Sequence, residues 1–167
     1  MASRIKEEKN RGALVYLAAF FIMAGAVLTL LPIAGAWTMD DKLVPFSSFS
    51  VYFGGPLTID SYSFYFSPNI PLIIMIQLYV LAFISAMLGK NLPHQLMIGL
   101  ILLVAGMALE FMSPLFISLT NSSIPLAGLT YAPGFYFSIA CEFVALIIMI
   151  VKYVESRIYW ARKKAVV

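Results

Sequence analysis

Four long apolar stretches, separated by polar segments, dominate the sequence; they are residues 13–33, 70–88, 96–119 and 134–154. Each holds roughly 20 residues, which is enough for a helix to cross the hydrocarbon core of a bilayer. A transmembrane barrel would instead show alternating segments of about ten residues. The pattern therefore predicts an all-α membrane protein, in which one membrane domain, residues 1–167, is a bundle of four transmembrane helices.

The polar segments predict the orientation of these helices. The sequence has eleven Lys and Arg residues, and only Lys42 falls outside residues 1–12, residues 89–95 and the chain from Lys152 onward. Positively charged loops stay on the cytoplasmic side. We therefore expect residues 1–12, the link 89–95 and the tail 155–167 in the cytoplasm, with 34–69 and 120–133 as outer loops.

The first outer loop carries a period-two pattern. Phe49, Val51 and Phe53 alternate with polar neighbours, and Gly54-Gly55-Pro56 precedes LTIDSYSFYF. Alternation interrupted by a glycine turn predicts a β-hairpin, with an irregular aromatic-rich loop as the alternative. A lone hairpin needs support from another surface. The aromatic side chains expected to contact a partner are Phe49, Tyr52, Phe53, Tyr62 and Phe64.

The third apolar stretch contains an acid, Glu110, and a proline four residues later, Pro114. A helical proline cannot donate a hydrogen bond to the carbonyl four residues back. The sequence thus places a carboxyl side chain and a freed carbonyl in hydrocarbon, where both require partners. An acid at such depth is a candidate functional residue.

A second acid, Glu142, matches the first in depth and in helix face. Both lie about 12–14 Å below the outer ends of their helices, at 1.5 Å per residue. Both also share a helix face with small residues suited to close packing. The predicted packing residues are Ala18, Gly25, Gly99, Gly106, Ser113, Ser138 and Ala145.

With Thr29 and Gln77 at comparable depth, the two acids predict a buried polar layer of Thr29, Gln77, Glu110 and Glu142. Neighbouring carboxyls in a low dielectric do not both ionise, so at least one should be protonated and donate to the other. Three roles fit this layer: a lock on helix register, a proton or cation path, or contact with a ligand or lipid headgroup.

The sequence contains no recognised catalytic or cofactor-binding motif. One cysteine, Cys141, and one histidine, His94, allow neither an internal disulfide nor a zinc cluster, and no span holds a histidine for haem. Metalloprotease, nucleotide-binding and dinucleotide-binding signatures are missing from the sequence. We expect no enzymatic activity and no cofactor. Asn121-Ser122-Ser123 matches a glycosylation acceptor, but so close to the predicted membrane edge that we do not expect its use.

The layout resembles that of the claudin and peripheral-myelin-protein group of four-helix membrane proteins. The first helix closes on LPIAGAW with Trp37, and YAPGFYFSIACEF opens the fourth. The resemblance implies cytoplasmic termini, a stranded first outer loop and a role at cell contacts. The first loop contains no cysteine, so the disulfide of that group's outer sheet is absent.

These features predict a non-catalytic structural or accessory subunit of a larger membrane complex or homo-oligomer. One alternative is a small transporter or channel that uses Glu110 and Glu142; another is a claudin-like adhesion protein. The expected partners are the lipid bilayer and other membrane subunits or further copies of the chain. The basic pI near 9 does not indicate nucleic acid, because the positive charges follow the predicted topology.

Overall fold

The computed structural model describes residues 2–37, 43–59, 62–89, 92–121 and 128–164. The described chain is mostly helical, with short strands at one end of the bundle. Its elements are α1 (Ala2–Leu28), β1 (Ala34–Trp37), β2 (Leu43–Pro45), α2 (Ser48–Phe53), β3 (Gly55–Ile59), β4 (Tyr62–Phe66), α3 (Ile70–Leu88), α4 (Pro93–Phe111), α5 (Ser113–Thr120), β5 (Leu129–Tyr131) and α6 (Pro133–Lys164).

Three helices, α3, α4 and α6, are long and apolar enough to cross a membrane. They confirm the prediction of a helical membrane protein, with helices of spanning length in three of the four predicted spans. α1 contributes a shorter apolar segment, Gly12–Leu28. α3 begins at the predicted residue because Pro71 fits the first helical turn and the Asn69 side chain accepts the N–H of Leu72 at 3.4 Å. α6 continues past the predicted end of the fourth span to Lys164.

The long helices pack through small residues. A β-carbon on Gly106 of α4 would lie 2.5 Å from the ring of Tyr79 on α3, and one on Gly99 would lie 2.8 Å from Met149 on α6. Glycine at these positions lets each helix approach its neighbour closely. All seven predicted packing residues are buried: Ala18, Gly25, Gly99, Gly106, Ser113, Ser138 and Ala145.

The predicted third span, residues 96–119, is not one continuous helix. α4 ends at Phe111, and α5 starts at Ser113 with Pro114 in its first turn. The break has a covalent cause, since proline lacks the N–H that would continue the ladder and its ring clashes with the preceding turn. The carbonyl of Phe111 accepts a hydrogen bond from the Tyr131 hydroxyl at 2.6 Å, which satisfies one group at the break.

The end of the bundle that was predicted to face outward carries a hairpin, but not at the predicted residues. Residues 48–53, predicted as its first strand, form helix α2, and the hairpin is the pair β3–β4 one segment later. The helix forms because Ser48, Val51 and Tyr52 are buried at a spacing of three and four residues, which is a helical face. Gly54, with φ of 81°, ends this helix rather than turning a hairpin.

The two outer segments meet in a sheet with strand order β2–β1–β5. In this sheet Ala34 pairs with Tyr131 and Ala36 pairs with Val44, all antiparallel. The second outer loop was not predicted to contain a strand. Asn121, the glycosylation candidate, is buried, and its amide nitrogen donates to the Ile117 carbonyl at 3.1 Å. The same nitrogen lies 3.0 Å from the Thr120 hydroxyl, and a glycan would replace one of its two hydrogens, so one of the two contacts would be lost.

Candidate functional site

The two membrane acids meet at the centre of the bundle, bridged by a tyrosine. Glu110 on α4 and Glu142 on α6 are both 0% exposed. The hydroxyl of Tyr79, from α3, lies 2.6 Å from Oε2 of Glu110 and 2.7 Å from Oε2 of Glu142. A single phenol therefore joins three helices through short oxygen–oxygen contacts.

Ser138 adds a second bridge and brings in the first helix. Its Oγ lies 3.0 Å from Oε1 of Glu142, 3.2 Å from Oε2 of Glu110 and 3.2 Å from the carbonyl of Gly25 on α1. Gly25 must be small here, because a β-carbon would stand 2.8 Å from Cγ of Glu142. We call Tyr79, Glu110, Ser138 and Glu142 the acid cluster.

The two contacts of the Tyr79 hydroxyl limit how many carboxyls of the acid cluster can be ionised. Tyr79 carries one hydroxyl proton, so it can donate to one carboxyl and must accept from the other. The accepting contact requires a proton on that second carboxyl. At least one of Glu110 and Glu142 is therefore protonated in this arrangement, and the pair carries at most one negative charge.

The other two members of the predicted layer make none of the hydrogen bonds that hold the acid cluster together. Thr29 is buried, but its hydroxyl donates to the carbonyl of Ala26 at 2.7 Å. Gln77 is exposed, so the prediction that it belongs to a buried layer is wrong. Two residues along a helix turn about 200°, which points Gln77 away from the face that carries Met75 and Tyr79.

Tyr79 is not among the predicted site residues, although the sequence carries a signal for it. The buried face of α3 repeats at helical spacing through Leu72, Met75, Tyr79 and Ala82. Tyr79 is the one side chain among these four that can donate a hydrogen bond. A buried phenol requires a partner, so the facing acids could have been assigned to it.

Two buried oxygens beside the acid cluster have no hydrogen-bond partner among the described residues. They are Oε1 of Glu110 and Oγ of Ser113. Both side chains are 0% exposed. They lie three residues apart, on either side of the break at Met112. Buried polar atoms without partners are uncommon in folded proteins and call for a specific explanation.

Tyr52 connects α2 and the strands β1–β5 to the bundle; we call α2 with these strands the outer cap, after the side predicted for it. The Tyr52 side chain is 0% exposed, and its hydroxyl donates to the Thr29 carbonyl at 2.6 Å. The Ser48 hydroxyl donates to the carbonyl of Leu31. Burial raises the pKa of Tyr52, so the phenol stays protonated as a donor. The prediction that Tyr52 contacts a partner is wrong, because the residue is enclosed.

Other aromatic residues of the cap do face outward. Phe49 is 70% exposed and Phe53 is 51% exposed, with their ring centroids 5.1 Å apart on one side of α2. Tyr65 on β4 is 75% exposed. The side chains of Tyr62 and Phe64, also predicted as partner contacts, lie outside the described residues.

Within the described ranges, no three His, Cys, Asp or Glu side chains gather in a way that could hold a metal ion. No protein-family model matches the sequence, and a comparison with curated proteins finds no match.

Proposed function

We propose that the protein is a non-catalytic membrane subunit with four spans, which joins a larger membrane complex or further copies of itself through its outer cap. α1 supplies the fourth span in this proposal. Its apolar part, Gly12–Leu28, is about 26 Å long at 1.5 Å per residue, close to the hydrocarbon thickness of about 30 Å.

The packing of α1 supports this topology. Gly134, at the start of α6, donates to the carbonyl of Pro32 at 2.9 Å, and Gly25 packs on Glu142. α1 therefore runs antiparallel along α6, which is long and apolar enough to cross a membrane. Together with the positive-inside rule, this arrangement supports our proposal that both termini lie in the cytoplasm and the outer cap on the opposite side.

The exposed pair Phe49 and Phe53 is the observation that carries the proposed function. Large aromatic side chains are enriched in protein interfaces and dominate their binding energy. Their helix is held by the buried contact of Tyr52 with Thr29, so the pair is presented in a fixed position. A surface that is ordered before binding loses less entropy when a partner arrives.

The acid cluster supports a static role in this proposal. Its hydrogen bonds join α3, α4 and α6, and one contact reaches the backbone of α1. Buried polar groups of this kind can fix the register of packed helices. The claudin-like alternative would use the same outer surface, with a partner on a facing membrane.

Mild detergent extraction followed by blue-native electrophoresis tests the proposal. We expect the protein in a species larger than the monomer, and the double variant Phe49→Ser/Phe53→Ser should convert it to monomer. The matched control is Phe20→Ser/Phe137→Ser, which changes two exposed phenylalanines on α1 and α6, at 63% and 58% exposure. Thermal unfolding of each variant verifies that the bundle is intact.

Deleting the whole first loop would be a poor test, because it removes Tyr52 and its contact with α1. A wild-type protein that migrates only as a monomer would refute the proposal. If the control variant loses the larger species and the Phe49/Phe53 variant keeps it, the contact would lie on the spans instead.

A further inference from the structure

We propose that the break between α4 and α5 is a binding site for one small monovalent cation, with Oε1 of Glu110 and Oγ of Ser113 as its side-chain ligands. Both oxygens are buried, and neither has a hydrogen-bond partner among the described residues. They lie within one helical turn of each other, on the two sides of Met112.

The chemistry of the ligands selects a hard cation. Carboxylate and hydroxyl oxygens suit alkali and alkaline-earth ions better than soft metals. Broken helices in membrane proteins commonly supply such oxygen ligands, because backbone groups at the break are released from the helical ladder. Pro114 cannot donate to the carbonyl of Glu110, which instead faces the N–H of Met112 at the break, so the two unpartnered side-chain oxygens carry the site.

The charge of the acid cluster selects a monovalent ion. The bridging position of Tyr79 requires a proton on one carboxyl, which leaves at most one negative charge on the pair. Lys152, the buried basic side chain among the described residues, is paired with Glu155 at 2.8 Å and lies ten residues from Glu142, about 15 Å along the helix. When Glu110 carries that charge, a single positive ion balances it, and a divalent ion would leave an excess positive charge.

The two carboxylate oxygens of Glu110 differ in their partners. Oε2 contacts Tyr79 and Ser138, whereas Oε1 has no hydrogen-bond partner among the described residues. The opposed ends of α4 and α5 meet at the break, so their helix dipoles act against each other there. The negative charge of the carboxylate, and not the helix dipoles, therefore makes the site attract a cation.

The test measures thermal unfolding of the purified full-length protein in detergent, with NaCl or KCl replacing choline chloride at constant ionic strength and pH. We expect a saturable rise in the unfolding midpoint with Na⁺ or K⁺, since an ion that binds only the folded state stabilises it. Equilibrium binding of ²²Na⁺, or of ⁸⁶Rb⁺ if K⁺ is preferred, should saturate at one ion per chain.

Ser113→Ala is the informative variant, because it removes one ligand and little volume. It should raise the half-saturating cation concentration at least about tenfold, as loss of even an outer-shell partner does at metal sites. The control is Ser85→Ala, which changes a buried serine on α3 that packs near Gly99. It should leave the half-saturation unchanged. Glu110→Gln should abolish the response.

Three results would overturn the site. The first is an unfolding midpoint that is the same in Na⁺, K⁺ and choline, which would leave water as the partner of the two oxygens. The second is an equal cation response in Ser113→Ala and Ser85→Ala. The third is a midpoint that follows pH alone, which would assign the remaining charge to a second proton.

Discussion

Tyr79→Phe is the most direct perturbation of the acid cluster. It deletes the hydroxyl that lies 2.6 and 2.7 Å from the two carboxyls, and it keeps the ring that packs against Gly106. The change therefore separates the hydrogen bonds of Tyr79 from its packing. Each acid loses one buried partner, while the helix positions are still set by the same apolar contacts.

The expected loss follows from what each acid retains. Ser138 still lies 3.2 Å from Glu110 and 3.0 Å from Glu142, so neither carboxyl is stripped of every contact. A buried group that loses a partner destabilises a protein by about 1–3 kcal/mol. Hydrogen bonds between membrane helices contribute less, about 0.6 kcal/mol on average and 1.7 at most. For two such contacts we expect a loss of about 1–2 kcal/mol.

Reversible unfolding in mixed micelles, by titration with a denaturing detergent, measures this difference. Intrinsic fluorescence and circular dichroism should report the same transition if unfolding is two-state. Tyr153→Phe is the matched control. The Tyr153 side chain is half-buried, and its hydroxyl makes one weak contact, 3.7 Å from the sulfur of Met97. Its removal should change the unfolding free energy by less than about 0.5 kcal/mol.

A double-mutant cycle with Glu142→Gln shows whether the loss is specific to the cluster. The two changes should be coupled by at least about 0.5 kcal/mol, because the residues share a direct contact. If Tyr79→Phe is as stable as the control variant, the proposal that the acid cluster fixes the register of α3, α4 and α6 is refuted. Full additivity in the cycle would mean that Tyr79 acts through packing alone.

Two further predictions concern the helix contacts around the site. Gly106→Ala should destabilise the bundle by about 1–3 kcal/mol in the same titration, because its β-carbon would stand 2.5 Å from the ring of Tyr79; Gly128→Ala, with open space, is the control, and equal effects would contradict the close packing. Tyr131→Phe should lose about 0.5–1.5 kcal/mol, since it removes the hydrogen bond to the Phe111 carbonyl, and faster amide exchange in α5 should accompany it.

The meeting of Glu110 and Glu142 was predictable from the sequence, because depth and helix face are both fixed by residue spacing. A rise of 1.5 Å and a turn of 100° per residue suffice to place each acid on the small-residue side of its helix. The same rule, applied fully, would have chosen Tyr79 and rejected Gln77. Polarity and depth suggested Gln77, although its helix face is the exposed one.

The structure of the outer cap was not predictable from local pattern. Ser48–Phe53 has the alternation and aromatic content of a strand, yet it is a helix. The deciding interaction is tertiary, since Tyr52 reaches the Thr29 carbonyl, 23 residues earlier in the chain. Short segments take the structure that buries their best face, and a six-residue pattern fits either period.

The contact between Tyr52 and Thr29 also ties the two proposed surfaces together. Tyr52 precedes the exposed Phe53, and Thr29 lies one helical turn beyond Gly25, whose carbonyl contacts Ser138 of the acid cluster. A partner that displaces α2 would have to break or carry along the end of α1. Gly25 packs closely on Glu142, since an added β-carbon would stand 2.8 Å from its Cγ, so a shift of that end would also disturb this acid. Partner binding at the outer cap and the ion beside Glu110, both proposed above, would therefore be connected through α1.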